Sequence, residues 1–183
     1  MASAASNPGV AQVLIVQLAA FLAALLWASG LHKLIRRDRA RAVVHEFAGV
    51  PRRLARLVVA VVAATEILAG MLLWMPASRA AGGALAALIW GGYLWLILRA
   101  IAQGRRDADC GCSFGAGQRP LGAYHVARNS GLTGAALLVA ACAGSATGPV
   151  IASQILAALA LLALYGALDE VMSLTAPRAG ALL

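Results

Sequence analysis

The stretch VAQVLIVQLAAFLAALLWASGL, residues 10–31, decides the fold class of this chain. Its 22 residues are mostly apolar and would extend about 33 Å as an α-helix, which is enough to cross the hydrocarbon core of a bilayer. A cleaved signal peptide is the competing interpretation. It would need a basic leader and a shorter apolar core, whereas residues 1–12 carry no charged side chain. We therefore predict a retained first membrane helix.

The rest of the chain repeats this pattern. Of its 183 residues, 62% are hydrophobic and 12% are charged, whereas a soluble domain carries about 25% charged residues. Because the apolar residues form long blocks, we predict an all-α polytopic membrane bundle of four to five transmembrane helices, built as one integral-membrane domain over residues 1–183. The predicted spans are residues 10–31, 57–75, 84–101, 126–143 and 150–168. In the fourth span, Gly131 and Gly134 are expected to let a neighbouring helix approach closely.

The basic residues cluster between the spans. Residues 32–56 hold eight of the fifteen Lys and Arg residues, in a chain whose net charge is +8. Nucleic-acid binding would also use positive charge, but a cluster between hydrophobic spans is typical of loops that face anionic lipid. Apolar residues recur among these charges, which predicts an amphipathic helix on the membrane surface that ends at Pro51. A solvated basic loop is the alternative.

Charge counting predicts the orientation. With five spans, fourteen basic residues fall on one side of the membrane and one, Arg79, on the other. The positive-inside rule therefore predicts an external amino terminus, a cytoplasmic basic segment 32–56 and a cytoplasmic loop 103–119.

The loop 103–119 contains two cysteines, Cys110 and Cys112, separated by one glycine. Thiols at this spacing can close a small strained disulfide, which suits exchange better than structural stapling. Incidental thiols are one alternative. Half of a zinc site completed by His125 is another, although paired zinc cysteines are usually two to four residues apart and need four ligands, so no metal is expected. Cys142 lies in an apolar helix and is predicted to be a packing residue.

Glu66 stands at the centre of the second predicted span. An acid at this depth costs about 2.5 to 3.5 kcal/mol on insertion scales, so it usually faces a partner or a cavity. Lys33 or His32 could supply that partner from the end of the first span, and Arg128 and Asn129 could supply it from the start of the fourth. A structural ion pair and a proton-handling role are both open.

These features together resemble the MauE family of methylamine-utilisation membrane proteins, which is grouped with the DoxX-like redox-associated membrane proteins. The resemblance rests on Lys33 closing the first helix, Glu66 in the second, and Cys110-Gly111-Cys112 ahead of the fourth, over residues 10–145. Ser113 departs from the Cys-Gly-Cys-Phe-Gly motif. The resemblance implies a protein of the bacterial plasma membrane that works with a thioredoxin-like partner. Its implied client is the disulfide-rich small subunit of methylamine dehydrogenase.

The leading hypothesis is a membrane thiol-disulfide redox and maturation factor that uses Cys110 and Cys112, supported by Glu66, Lys33, Arg128 and Asn129. One thiol pair cannot relay electrons across a bilayer, so the hypothesis needs a quinone, a second protein or a motion that exposes the pair to both sides. A non-enzymatic assembly factor and a small-solute transporter that uses Glu66 are the alternatives.

Overall fold

A computed structural model describes residues 9–105, 121–142 and 151–175. Within these ranges the chain is helical, and a short 3-10 turn at Pro76–Ser78 joins two of the helices. In chain order the helices are α1 (Val10–Ile35), α2 (Arg37–Ala48), α3 (Arg52–Trp74), α4 (Arg79–Ala102), α5 (Ala123–Cys142) and α6 (Ile151–Thr175). The predicted all-α bundle is confirmed. The Cys110–Cys112 pair lies outside the described residues.

Several of the described helices have the apolar composition of membrane spans. Among the described residues, α1, α3 and the segment Pro76–Ala102 are long and apolar enough to cross a bilayer, and α6 contains a shorter apolar stretch, Ser153–Leu168. Large apolar side chains on most of the helices point away from the bundle, among them Leu14, Leu57, Val61, Met71, Leu88, Trp95, Leu137 and Leu159. An outer surface of this kind is stable against lipid and not against water.

Helices α1 and α3 pack antiparallel at two glycines. A Cβ at Gly30 would lie 3.0 Å from the Ala63 carbonyl oxygen, and a Cβ at Gly70 would lie 2.4 Å from the Trp27 Nε1 atom. Trp27 also donates a hydrogen bond to the Ile67 carbonyl, with a distance of 3.3 Å. Small residues allow this close approach, which membrane helices use because lipid removes the hydrophobic drive for association.

Glycines also allow α4 to pack closely on α3 and α5, but they are not the glycines that the sequence suggested. A Cβ at Gly82 would lie 2.5 Å from the Leu73 backbone nitrogen of α3, and one at Gly83 would lie 2.7 Å from the Ala140 nitrogen of α5. No atom of the described residues lies within 4 Å of a Cβ built at Gly131 or Gly134. The prediction that these two glycines mediate packing is wrong, because both lie on an exposed face of α5.

The basic segment contains a helix. α2 ends at Ala48, where Gly49 takes a left-handed conformation with φ +69°, and Pro51 instead caps the start of α3. The helix therefore ends at Ala48 and not at Pro51 as predicted. Glycine is favoured at such a helix end because it has no Cβ to oppose a positive φ. His45 Nδ1 and the Val50 carbonyl oxygen, 2.8 Å apart, hold the corner closed.

Helix α4 begins five residues earlier than its predicted span. Its first residue, Arg79, is 2% exposed, and its Nε donates to the Leu73 carbonyl at 3.4 Å. The predicted span began at residue 84, because an arginine in an apolar run reads as a loop residue.

Antiparallel packing brings several chain segments to one end of the bundle. α2 packs on α3 there, and the Arg105 guanidinium donates to the Glu46 carbonyl oxygen. Leu121, just before α5, is buried against Ile97 and Ala100 of α4. The described residues on both sides of the cysteine loop therefore lie at the same end as the basic helix α2.

Candidate functional site

Glu66 is completely buried near the middle of α3, with a relative exposure of 0%. Its carboxylate accepts hydrogen bonds from two helices. Ser29 of α1 donates at 3.0 Å, Lys33 of α1 donates at 2.7 and 2.9 Å, and Tyr93 of α4 donates at 2.6 Å. The acid thus faces the bundle and not lipid, and it joins α1, α3 and α4.

Lys33 reaches this depth from the last turn of α1. Ser29 precedes it by four residues, so both side chains lie on one face of the helix, and Lys33 Nζ donates to Ser29 Oγ at 2.7 Å. The ammonium also lies 5.4 Å from the centre of the Tyr93 ring, within the range of a cation–π contact. Its side chain is 15% exposed, compared with 1% for that of Glu66, so the pair is open only on the lysine side.

Of the partners that the sequence offers to Glu66, the structure pairs the carboxylate with Lys33. It adds two donors that sequence reasoning did not name. These donors are Tyr93 and Ser29, and neither carries a charge that would mark it in the sequence as a partner of a buried acid. The signal for Ser29 was its spacing of four residues from Lys33 on a helix that contains few other polar groups.

A polar cavity lies beside this network, between α1, α4, α5 and α6. Its water-accessible volume is about 30 Å³, and a volume of about 10 to 15 Å³ is enough for one water. Ser29 and Tyr93 line it and also bond Glu66, so the cavity adjoins the buried pair. The full lining is Leu25, Ser29, Trp90, Tyr93, Arg128, Asn129, Leu132 and Tyr165.

Arg128 and Asn129 contribute the α5 side of this cavity. Asn129 is 2% exposed, and its Nδ2 donates to the His125 carbonyl at 2.9 Å. The Arg128 guanidinium lies 5.1 Å from the centre of the Tyr165 ring of α6. The structure therefore brings these two residues to the cavity next to Glu66. The described ion pair of Glu66 is with Lys33.

This arrangement can hold a charge pair and can adjoin water. Three donors satisfy the carboxylate, which is the condition under which a buried ion pair avoids a large net cost. Ser29 and Tyr93 line the cavity, and their hydroxyl groups donate hydrogen bonds to Glu66. Water in the cavity could therefore exchange protons with these hydroxyl groups. The chemistry that the site supports is therefore charge stabilisation and proton exchange.

The remaining sequence candidates are separate from this network. Cys142 ends α5 and is exposed and free, so the prediction that it is a packing residue is wrong. His125 is 4% exposed, and its Nδ1 has no hydrogen-bond partner among the described residues. In that same part of the chain, no three His, Cys, Asp or Glu side chains converge to hold a metal.

Fold and site together define a multi-pass helical membrane protein with a buried acid–base network. The family described as "Methylamine utilisation protein MauE" matches residues 11–143, and the chain belongs to that family. It is thus a membrane protein associated with methylamine utilisation. No curated protein and no solved structure gives a match.

Proposed function

We propose that this chain is a membrane thiol-disulfide redox and maturation factor in which Cys110 and Cys112 are the exchanging pair. The observation that carries the proposal is the Cys-Gly-Cys sequence between α4 and α5 of a methylamine-utilisation family member. Its client would be a secreted protein rich in disulfides, such as the small subunit of methylamine dehydrogenase. Its immediate redox partner would be a thioredoxin-like protein.

The anchoring of the loop supports the proposal. Arg105 on one side bonds the carbonyl of Glu46, and Leu121 on the other is buried against α4. Both ends of the segment that carries the pair are therefore fixed to one end of the bundle. A fixed attachment lets a partner protein meet the pair at a defined place.

The proposed chemistry is disulfide exchange. A client thiolate attacks one sulfur of the Cys110–Cys112 disulfide, the S–S bond breaks, and a mixed disulfide forms. A second client thiolate then attacks the mixed disulfide and releases the pair as a dithiol. Two electrons and two protons have passed from the client to the pair. A quinone or the disulfide of the thioredoxin-like partner must take them up before the next cycle.

The buried network has a supporting role in this proposal. Lys33 and Glu66 tie α1 to α3, and Tyr93 adds α4, the helix that leads into the cysteine loop. Arg128 and Asn129 complete the polar cavity at the start of α5, the helix that follows the loop. We propose that these residues hold the two attachment helices in place, and that cavity water takes up protons.

Acid-quenched alkylation tests the pair directly. Cells are quenched with acid, free thiols are alkylated, and the mass of the protein reports how many thiols were free. We expect two states that differ by two alkyl groups and that interconvert when a reductant is added. Cys110→Ser and Cys112→Ser should each trap a partner as a mixed disulfide that reductant releases.

Cys142→Ser is the matched control, because Cys142 is exposed but has no neighbouring cysteine in sequence. It should leave both the two-state pattern and client maturation unchanged. If both thiols of the pair stay reduced under every condition and neither single variant traps a partner, the redox proposal is wrong. Loss of client maturation without any trapped partner would instead indicate a non-enzymatic assembly factor.

A further inference from the structure

A second pocket lies at the end of α4, outside the network around Glu66. It is formed between the α2–α3 corner and the last turns of α4, and it offers about 70 Å³ to the centres of water molecules. Its lining is Ala48, Gly49, Leu96, Arg99, Ala100, Gln103 and Arg105. Two of these seven residues are arginines, and none is acidic.

The donors that face this pocket come from side chains. The backbone N–H groups of Gln103, Gly104 and Arg105 already bond carbonyl oxygens of α4. Arg105 donates one N–H to the Glu46 carbonyl oxygen. Further N–H groups remain, because a guanidinium carries five. Among the described residues, no carboxylate lies within ion-pair distance of Arg99 or Arg105. The pocket is therefore a site of uncompensated positive charge within that part of the chain.

Arg99 packs on an exposed tryptophan near the end of α4. Its guanidinium lies 5.5 Å from the centre of the Trp95 ring, one turn earlier in α4. Trp95 is 58% exposed on the outer face of the bundle, and tryptophan is enriched at the membrane interface. Leu96 and Ala100 provide apolar surface beside the two arginines, which suits a ligand with one charged end and one apolar end.

We propose that this pocket binds the phosphate group of an anionic phospholipid. Arg99 and Arg105 are its ligands and Gln103 is a further donor. Guanidinium groups match phosphate oxygens in pairs, and basic pockets between membrane helices bind anionic headgroups. The adjacent basic helix α2 would bring the same lipids to this end of the bundle. The lipid site shares Arg105 with the attachment of the cysteine loop, but lipid binding requires no thiol chemistry.

Native mass spectrometry of the full chain in detergent tests the proposal. The protein is titrated with phosphatidylglycerol and, separately, with phosphatidylethanolamine, whose ammonium group neutralises its phosphate. We expect the first bound phosphatidylglycerol to be held more tightly than the first phosphatidylethanolamine. Each arginine near an anionic surface contributes about fivefold in affinity, so Arg99→Gln/Arg105→Gln should weaken phosphatidylglycerol binding roughly 30-fold. Arg99→Gln alone should weaken it about fivefold, which keeps the test available if the double variant does not fold.

Arg52→Gln/Arg53→Gln is the matched control, because it removes the same charge from exposed residues at the start of α3. It should change phosphatidylglycerol affinity by less than about threefold. Equal losses in both double variants would show a general charge effect and overturn the site. No loss in the variants of Arg99 and Arg105 would also overturn it. Inorganic phosphate at millimolar concentration should leave the bound lipid in place, whereas displacement would show a general phosphate site with no preference for lipid and would overturn the proposal.

Discussion

Lys33 and Glu66 offer a sharp test, because the two ends of their ion pair differ in access to solvent. The carboxylate is 1% exposed and the lysine side chain 15%. Lys33→Met removes the ammonium and keeps most of the side-chain volume. Glu66→Gln removes the negative charge and keeps the shape. Both single variants and the double variant make a complete double-mutant cycle.

The structure predicts unequal costs. Lys33→Met leaves a buried carboxylate with only the hydroxyl donors of Ser29 and Tyr93, and an uncompensated buried charge costs about 3 to 5 kcal/mol. Glu66→Gln should cost about 1 to 3 kcal/mol, because it weakens hydrogen bonds to a charged group. Lys33 lies two residues from the end of α1, so its ammonium can turn toward the headgroups. The double variant should cost less than the sum of the single variants by about 2 kcal/mol or more.

Reversible unfolding in mixed micelles, titrated with sodium dodecyl sulfate, measures these free energies. The exposed pair Asp38 and Arg41, 3.1 Å apart on α2, is the control. Asp38→Asn and Arg41→Met should couple by less than about 0.5 kcal/mol, as exposed helix pairs do. Additive costs for Lys33 and Glu66 within about 0.5 kcal/mol would refute the interpretation of the pair as a buried, mutually compensating unit.

Three further predictions concern other parts of the molecule. Tyr93→Phe removes the 2.6 Å hydrogen bond to Glu66 and should lower the free energy of unfolding by about 1.5 to 3 kcal/mol in the same titration; a smaller loss than 0.5 kcal/mol would contradict that contact. Gly83→Ala should cost about 1 to 3 kcal/mol, because its Cβ would lie 2.7 Å from the backbone of α5, whereas Gly134→Ala should be neutral or stabilising. A single cysteine at Ala42, in a chain without other cysteines, should react with an impermeant thiol reagent only after the cells are opened, and labelling of intact cells would reverse the predicted orientation.

The membrane helices could be predicted because length and apolar composition are properties of the sequence itself. What the sequence did not specify was the rotation of each helix about its axis. Gly82 and Gly83 lie against neighbouring backbones, whereas Gly131 and Gly134 contact no other described helix, although both pairs lie in apolar helices. Burial of Arg79 was missed for a different reason, because a charged residue next to a turn is normally assigned to the surface.

The site was predictable in part. Glu66 and Lys33 stood out because charge is rare in the spans, and electrostatics favours their pairing. Tyr93 was less visible, since a tyrosine in a span serves packing as well as hydrogen bonding. Its hydroxyl reaches Glu66 only because α4 packs against α3 in one register, which the sequence pattern does not encode. Neutral hydrogen-bond donors to a buried acid can therefore be identified only from the structure, whereas its charged partner can be predicted from the sequence.

Antiparallel packing links the orientation of the basic helix to that of the thiol pair. α1 runs against α3 and α4 runs against α5, so Arg105 and Leu121, which bracket the cysteine loop, lie at the end of the bundle where α2 packs. Whichever side α2 faces, the loop begins and ends on that side. Charge counting predicts the cytoplasmic side, so an external client would receive its disulfide through a second protein or through a motion of the loop. If a cysteine at position 42 were labelled in intact cells, both α2 and the two ends of the cysteine loop would lie on the outer side. The pair would then meet an external client directly, and α2 would lose the anionic inner leaflet that its arginines fit.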